Sequence, residues 1–377
     1  MSRFPTDLPS PCFVLEQAAL RRNLAVLARV QREAGVKIIL ALKGFAMHAA
    51  FPEVRRVLPG CTASSPYELR LAHEEFGGEV HAYAPVYPER DFPAYARHCT
   101  HLTFNSLAQC DRFRDRAPGV SLGLRVNPQY SPVETDLYNP CVPGSRLGIR
   151  AELLGDRLPP GVEGLHVHNL CESAADATAR TLLAIEEHFG RFLPALRWLN
   201  LGGGHLMTRA GYDLDGLIAA LRTFRQRHPH LDIILEPGSA VAWDTGVLVA
   251  TVEDVVESGG IHTAILDASF ATHMPDCLEM PYRPNVEGAW EPDGRGWECR
   301  LGGCSCLAGD FVAGYAFAQP LRPGDRVVFR DMMHYTMVKT NTFNGIPLPA
   351  IGILGEDGGF QLVQTPDYHR DYRNRLS

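Results

Sequence analysis

Between residues 36 and 238 the chain alternates short apolar runs with amphipathic stretches. The runs at 36–43, 61–65, 79–85, 101–106, 121–127, 164–169, 198–204 and 232–238 have the length and apolar content of buried strands. The segments 65–76, 106–116, 174–192 and 214–228 instead carry apolar residues at helical spacing. Eight strands alternating with helices predict a (β/α)8 barrel, whose functional side chains gather at the C-terminal ends of the strands. An open doubly wound sheet shares that local pattern. Lys43, Ser64, Asn105, Arg125, His168, Gly203 and Glu236 all fall at such ends.

Beyond residue 240 helical periodicity nearly vanishes. Strand-like runs at 246–257, 261–267, 297–302, 326–329 and 351–353 are separated by Gly, Pro and Asp, which predicts a β-sandwich or β-barrel domain. The run at 12–15 is also strand-like and precedes a helical stretch over 16–34. The expected organisation is an N-terminal strand and helix over 1–30, the strand joining the later β-domain, then an α/β barrel over 31–243 and a C-terminal β-domain over 244–377.

A length of 377 residues suits a large domain with a second one beside it. Hydrophobic and charged fractions of 45% and 21% are those of an ordinary globular protein. The net charge of −7, without any basic run, argues against a nucleic-acid partner and suits a cationic ligand. No stretch has the length and apolarity of a signal peptide or a membrane span, so a cytoplasmic protein with no membrane partner is expected. The ten cysteines are scattered without a CxxC pair, as reduced thiols are, rather than in a disulfide or zinc framework.

Lys43 closes the apolar run at 36–43. A lysine at a strand end ordinarily snorkels to water. Two later runs, however, end in Gly202-Gly203-Gly204 and Glu236-Pro237-Gly238. An amine, a glycine-rich cradle of backbone N–H groups and a carboxylate on one barrel rim are the parts needed to hold pyridoxal phosphate: a covalent anchor, a phosphate seat and a partner for the pyridine nitrogen. His166 and His168 form an HxH pair. Metal-dependent barrel hydrolases carry that pair on the first strand with further ligands later, so no metal is expected here and His166 reads as a buried structural residue.

These segments resemble the alanine racemase-like (fold type III) pyridoxal-phosphate enzymes, and within them the ornithine, diaminopimelate and carboxynorspermidine/carboxyspermidine decarboxylases. The likeness runs through Leu40-Ala41-Leu42-Lys43, His168-Asn169-Leu170-Cys171-Glu172 and the two glycine-bearing motifs. It continues in His273-Met274-Pro275-Asp276, Leu278-Glu279-Met280-Pro281-Tyr282-Arg283-Pro284, and Gly303-Cys304-Ser305-Cys306-Leu307-Ala308-Gly309-Asp310. It ends in Tyr335-Thr336-Met337-Val338-Lys339 and Phe343-Asn344-Gly345. The joint order of the last motifs is the specific signal. The resemblance implies that Lys43 carries the cofactor, His168 stacks on its ring and Glu236 binds the pyridine nitrogen. It further implies that Gly202, Gly203, Gly204, Gly238 and Tyr335 hold the phosphate, with Arg125 and Glu68 around the ring. Cys306 is implied as the proton donor to Cα, and Asp276, Glu279, Arg283 and Asp310 as contacts to the substrate. Ornithine-type enzymes carry an arginine after Glu-Pro-Gly, where this chain has Ser239, which weakens the case for ornithine and leaves the phosphate without an assigned charge partner.

The reading is therefore a pyridoxal-phosphate-dependent decarboxylase of carboxynorspermidine or carboxyspermidine in polyamine synthesis, taking a small cationic amino acid and working as a homodimer with shared active sites. Its rivals are a decarboxylase of another carboxylated amine (a siderophore precursor, diaminopimelate, ornithine), a non-catalytic cofactor-binding homologue and a metal-dependent barrel hydrolase.

Overall fold

The structure, a computed structural model, describes residues 4, 5 and 7–377. Strand β1 (Cys12–Glu16) leads into the helix Gln17–Ala34. The chain divides into two compact units, one Arg22–Val241, the other the described residues of Met1–Arg21 with Ala242–Ser377.

The unit Arg22–Val241 is built on an all-parallel sheet. Its strands are β2 (Lys37–Ile38), β3 (Leu40–Ala41), β4 (Gly60–Ala63), β5 (Glu79–Tyr83), β6 (His101–Phe104), β7 (Ser121–Arg125), β8 (Val162–His166), β9 (Trp198–Asn200) and β10 (Asp232–Leu235). Each pairs with its sequence neighbour from β3 to β10, and β10 returns to β2. β2 and β3 are halves of one strand interrupted at Ile39. Lys37 and Ile38 pair with β10, and Leu40 and Ala41 with β4. The Ile39 and Ala41 amides still donate to the Leu235 and Pro237 carbonyls at 2.9 and 3.1 Å, and Leu42 donates to Thr62 at 3.1 Å. The interrupted strand is thus bonded on both flanks and closes the ring. This is the (β/α)8 barrel read from the sequence, and an open sheet is ruled out by the β10–β2 pairing.

The connecting helices start where the sequence supplies caps. Ser65 and Ser106 each accept a bond from the amide three residues on, that of Glu68 and that of Gln109, both at 3.2 Å, which satisfies a donor the first helical turn leaves open. Inside the barrel the Trp198 indole lies across β7 and β8. A Cβ at Gly164 would stand 2.0 Å from that ring and one at Gly123 2.2 Å from it, so the glycines make its space. Its Nε1 donates to Ser121 Oγ at 2.9 Å. The N-terminal edge of the barrel is polar: Lys37 binds both oxygens of Glu79 at 2.7 and 2.8 Å. Beside this pair, the His81 and His101 rings stack 4.0 Å apart.

The other unit is a mixed sheet. It comprises β1 with β11 (Gly246–Ser258), β12 (Ile261–Leu266), β13 (Ala289–Trp290), β14 (Trp297–Gly302), β15 (Phe311–Phe317), β16 (Arg326–Arg330), β17 (Ala350–Leu354) and β18 (Phe360–Gln364). The order is β13-β15-β14-β12-β11-β1-β17-β18, with β16 also on β11. β1 is antiparallel to β11 and parallel to β17. β11 serves two sets of neighbours: its first half pairs with β1 and β16, and from Val252 onward, across an irregularity between Val252 and Asp254, it pairs with β12. Cys12, Val14, Val247, Val249 and Val328 form the buried apolar cluster of this unit.

Replacing Gly164 with alanine tests the barrel packing. The new methyl must displace the indole, so the free energy of unfolding should fall by roughly 1–3 kcal/mol, seen as a lower urea midpoint at unchanged slope. A midpoint equal to wild type would mean the indole does not occupy this space.

Candidate active site

The C-terminal ends of the barrel strands surround a cavity with about 470 Å³ of empty space, part of it open to solvent. Lys43, Arg125, His166, His168, Gly203 and Glu236 line it. Two backbone approaches set the positions of the amine and the acid. After β3 the chain turns sharply, with the Gly44 amide donating to the Ala41 carbonyl at 3.0 Å. A Cβ on Gly44 would fall 2.7 Å from Gly238 Cα, and one on Gly238 2.9 Å from Gly44 Cα. The two turns therefore touch through bare backbone, which brings the turn carrying Lys43 against the Glu236-Pro237-Gly238 turn.

Lys43 presents its side chain to the cavity, where it is accessible, yet protein atoms surround it closely. Burial and the Arg125 guanidinium lower its pKa from the ordinary lysine value, against the pull of Glu236 and Glu68. Its Nζ lies 3.2 Å from His168 Nε2. On the far side of that ring, the Gly203 amide donates to Nδ1 at 3.1 Å. Burial and the cations Lys43 and Arg125 hold His168 well below its usual pKa. Arg125, buried at the end of β7, donates to the His168 carbonyl at 3.0 Å, and its guanidinium carbon sits 4.5 Å from the Tyr83 ring centroid. Glu68, whose pKa burial raises, accepts from the Ser64 amide at 2.6 Å.

Glu236 is buried. Asn200 Nδ2 donates to its Oε1 at 2.6 Å. Its Oε2 stands 3.4 Å from His166 Nε2, too long for a well-formed hydrogen bond. Burial alone would push this carboxyl up, but the His166 and Asn200 contacts outweigh it and keep the group below the ordinary carboxylate value. The HxH pair does not converge on one point: the two rings are nearly parallel with centroids 6.5 Å apart.

The glycine triplet is shaped by its neighbours. Gly202 (φ +65°) and Gly204 (φ +92°) take left-handed conformations that glycine adopts freely. The Gly202 amide donates to Asn200 Oδ1 at 2.8 Å and that of Gly203 to His168. Of the three amides only that of Gly204 has no protein partner among the described residues. An anchor amine, an ionised acid, a cavity lined by an imidazole and a free backbone donor fit pyridoxal phosphate.

The sheet unit holds the remaining candidates in two groups. Cys306 is exposed on the loop between β14 and β15, its amide donating to Asn344 Oδ1 at 2.9 Å. Asp310 is buried beneath that loop, accepting from the Ser305 and Ala271 amides at 3.1 and 3.0 Å. Asp276 accepts from Thr336 Oγ1 at 2.9 Å and from the Tyr282 hydroxyl at 3.1 Å. Glu279, on the same short helix Asp276–Glu279, pairs with Lys339. Arg283 is turned to the Gly314 carbonyl at 2.9 Å and to Glu291 at 3.1 Å. Tyr335 opens the helix Thr336–Lys339 with φ +49° and ψ −56°, a strained conformation for a residue with a side chain.

The sequence assigned no individual role to Tyr83, Asn200 or Asn344. Asn200 offered one signal, an amide side chain inside an apolar strand just before the glycines. Asn344 lay within the Phe343-Asn344-Gly345 motif, but its contact to the Cys306 amide, like that of Tyr83 to Arg125, joins residues distant in sequence.

Residues 12–333 match the family described as pyridoxal-dependent decarboxylase, C-terminal sheet domain. The chain is 57% identical to a carboxyaminopropylagmatine decarboxylase of Synechocystis sp., over 98% of this chain and 96% of the relative. It is 40% identical to a carboxynorspermidine/carboxyspermidine decarboxylase of Campylobacter jejuni, over 99% of this chain and 100% of the relative. Its fold superposes on the crystal structure of carboxynorspermidine decarboxylase complexed with norspermidine from Campylobacter jejuni with a TM-score of 0.91, at 39% identity, covering 98% of this chain and 100% of the other. By its motifs, its barrel site and these likenesses, the chain belongs to the pyridoxal-dependent decarboxylase family.

Proposed function

We propose that this decarboxylase removes the α-carboxylate of a carboxyaminopropyl polyamine, a step of polyamine synthesis. The observation that carries the reading is the pairing of a desolvated amine, Lys43, with an ionised buried acid, Glu236, on one barrel rim. Carboxynorspermidine and carboxyspermidine are the substrates read from the sequence motifs, and relatives at 40% and 36% identity carry those names. A second reading is favoured by the relative at 57% identity: carboxyaminopropylagmatine, whose distal cation is a guanidinium in place of an ammonium. All three present an amino acid at one end and a cation at the other.

Pyridoxal phosphate, when bound, supplies a cationic conjugated ring that accepts the electron pair left as CO2 departs. Lys43 would hold it through its amine, at the place where the substrate amine would exchange with it. Glu236 keeps the ring-nitrogen proton in place: Asn200 occupies Oε1, and Oε2 remains to accept. Gly204 offers its amide to the phosphate, with Gly238 and Tyr335, while Gly202 and Gly203 shape the loop. Arg125 braces the backbone of His168. Cys306 returns a proton to Cα. Asp276 and Glu279 receive the distal cation, Glu279 exchanging Lys339 for it, and Asp310 and Arg283 shape the loops around them. The reading includes a cytoplasmic homodimer in which the partner subunit's Cys306 and the partner subunit's Asp310 complete each barrel site. No described helix is long and apolar enough to cross a membrane.

Release of CO2 from carboxynorspermidine, carboxyspermidine, carboxyaminopropylagmatine, ornithine, lysine and diaminopimelate tests the substrate class. The three carboxyaminopropyl compounds should exceed the others in kcat/KM by about a hundredfold or more, because a site with acids placed for a distal cation is left with unpaired charge by a shorter substrate. Carboxyaminopropylagmatine should lead. Equal or faster turnover of ornithine or diaminopimelate would overturn the class.

Glu236→Gln keeps the size of the side chain and removes its charge. Turnover should fall by at least a hundredfold while the cofactor absorbance persists. Near-native decarboxylation would show that another group holds the ring proton.

Site sharing predicts complementation. Lys43→Ala and Cys306→Ala, each inactive, are mixed in equal amounts after reversible dissociation. Half the dimers are then mixed, each with one intact site, so activity should return to roughly a quarter of wild type. No recovery despite verified subunit exchange would place both residues in one chain's own site.

A further inference from the structure

A neutral imidazole carries one proton, so one ring nitrogen donates and the other accepts. In His168 the accepting nitrogen is identified by its partner. The Gly203 amide points at Nδ1 from 3.1 Å, and a backbone N–H can only donate. This excludes both the imidazolium and the Nδ1–H tautomer, so the proton is on Nε2. Lys43 Nζ lies 3.2 Å from that nitrogen. An ammonium there would set N–H against N–H, whereas the free amine offers a lone pair to the imidazole proton. We infer that His168, locked in its Nε2–H tautomer by the Gly203 amide, is a positioning residue that keeps Lys43 as the unprotonated amine for capture of the cofactor.

The lock is built into the backbone. A Cβ at Gly203 would lie 2.6 Å from the Glu236 carbonyl oxygen, so the amide can stand at this point only on a glycine. The Glu236 amide donates to the Gly202 carbonyl at 2.7 Å and clamps the same loop. At Gly202 a Cβ would fall 2.8 Å from His168 Nδ1 and push the ring away. Burial and then Arg125 disfavour an ammonium at Lys43, whereas the facing groups Glu236, Glu68 and Cys171 favour it. To these the Nε2–H of His168 adds a hydrogen bond that only the free amine can accept. Capture requires the lone pair: Nζ joins the aldehyde carbon, and the aldehyde oxygen leaves as water with both amine hydrogens.

This inference rests on Lys43 being the cofactor lysine, and the experiment separates the two. Full-length wild type is first reduced with borohydride in the presence of pyridoxal phosphate, and the labelled peptide is identified by mass spectrometry. A pyridoxyl group on another lysine would overturn the Lys43 assignment and this inference with it. With the label on Lys43, the rate of pyridoxal phosphate capture by full-length apoprotein is followed by absorbance from pH 6 to 9.5. The measurement is made for wild type, His168→Phe and His168→Gln. Taking the ratio of variant to wild type at each pH cancels the titration of the cofactor itself. Phenylalanine keeps a flat buried ring but has no donor. Its ratio should sit near its maximum at high pH and drop about tenfold toward low pH, as one hydrogen bond of ordinary net strength shifts the amine pKa by about one unit. Glutamine can still donate, so its ratio should stay flat. A flat ratio for phenylalanine, or an equal drop in both variants, overturns the inference and leaves the Lys43 assignment standing. The nitrogen-15 spectrum of wild type gives a reading that needs no stable phenylalanine variant. The resonance pair lost in His168→Gln should show unprotonated Nδ1 and protonated Nε2, and a protonated Nδ1 overturns the lock.

Discussion

The barrel mouth brings an amine, a guanidinium, two imidazoles and a carboxylate around one cavity, and they cannot all be charged at once. Two like charges 4 Å apart cost about 4 kcal/mol even at an effective dielectric of 20. The arrangement leaves Arg125 and Glu236 charged and holds Lys43, His166 and His168 toward their neutral forms, chiefly through burial. Among the described residues Arg125 pairs with no carboxylate. It is satisfied by the carbonyl of His168 and the face of Tyr83, so its positive field remains available to depress the neighbouring bases. The acid is kept ionised against its burial by the neighbouring His166 and by the amide of Asn200.

That electrostatic balance depends on distances that only glycine permits. Gly44 and Gly238 touch backbone to backbone, and Gly203 lies against the Glu236 carbonyl. A single methyl at any of these positions would separate the amine from the acid or tilt the imidazole. Packing at the other end of the barrel supports the same geometry. Trp198 fills the interior against Gly123 and Gly164, and the Lys37–Glu79 pair joins the first residues of β2 and β5. Strand register at the base thereby fixes which residues emerge at the rim.

The sequence displayed much of this arrangement because a parallel barrel writes its period into the chain. The apolar runs ending at Lys43, Arg125, His168 and Glu236 correspond to strands whose C-terminal ends carry those side chains. The interruption at Ile39 was illegible, since Ile38 to Leu42 reads as an unbroken apolar run. β15 escaped notice as well: Phe311–Phe317 carries a glycine and two alanines among its aromatics, and its identity as a strand comes from pairing with β14 and β13. The triplet at 202–204 reads equally as a turn or as a phosphate cradle. Only the folded chain reveals that two of its amides are spent on Asn200 and His168, because no local pattern states which side chain meets which amide.

A comparable economy governs the loop that carries Cys306. Its buried acid, Asp310, spends both carboxylate oxygens on backbone amides, one within the loop at Ser305 and one across it at Ala271. Gly303 leaves the space for this: a Cβ there would fall 2.2 Å from the carboxylate. Asn344 then binds the Cys306 amide from outside. An exposed thiol is thus mounted on a backbone held from both sides. A group proposed to deliver one proton to one face of a carbon benefits from such mounting, because selectivity depends on where the sulfur stands before the carbanion forms. Asp310 anchors the loop that carries the thiol, so on the proposed reading its contribution is to position rather than to react.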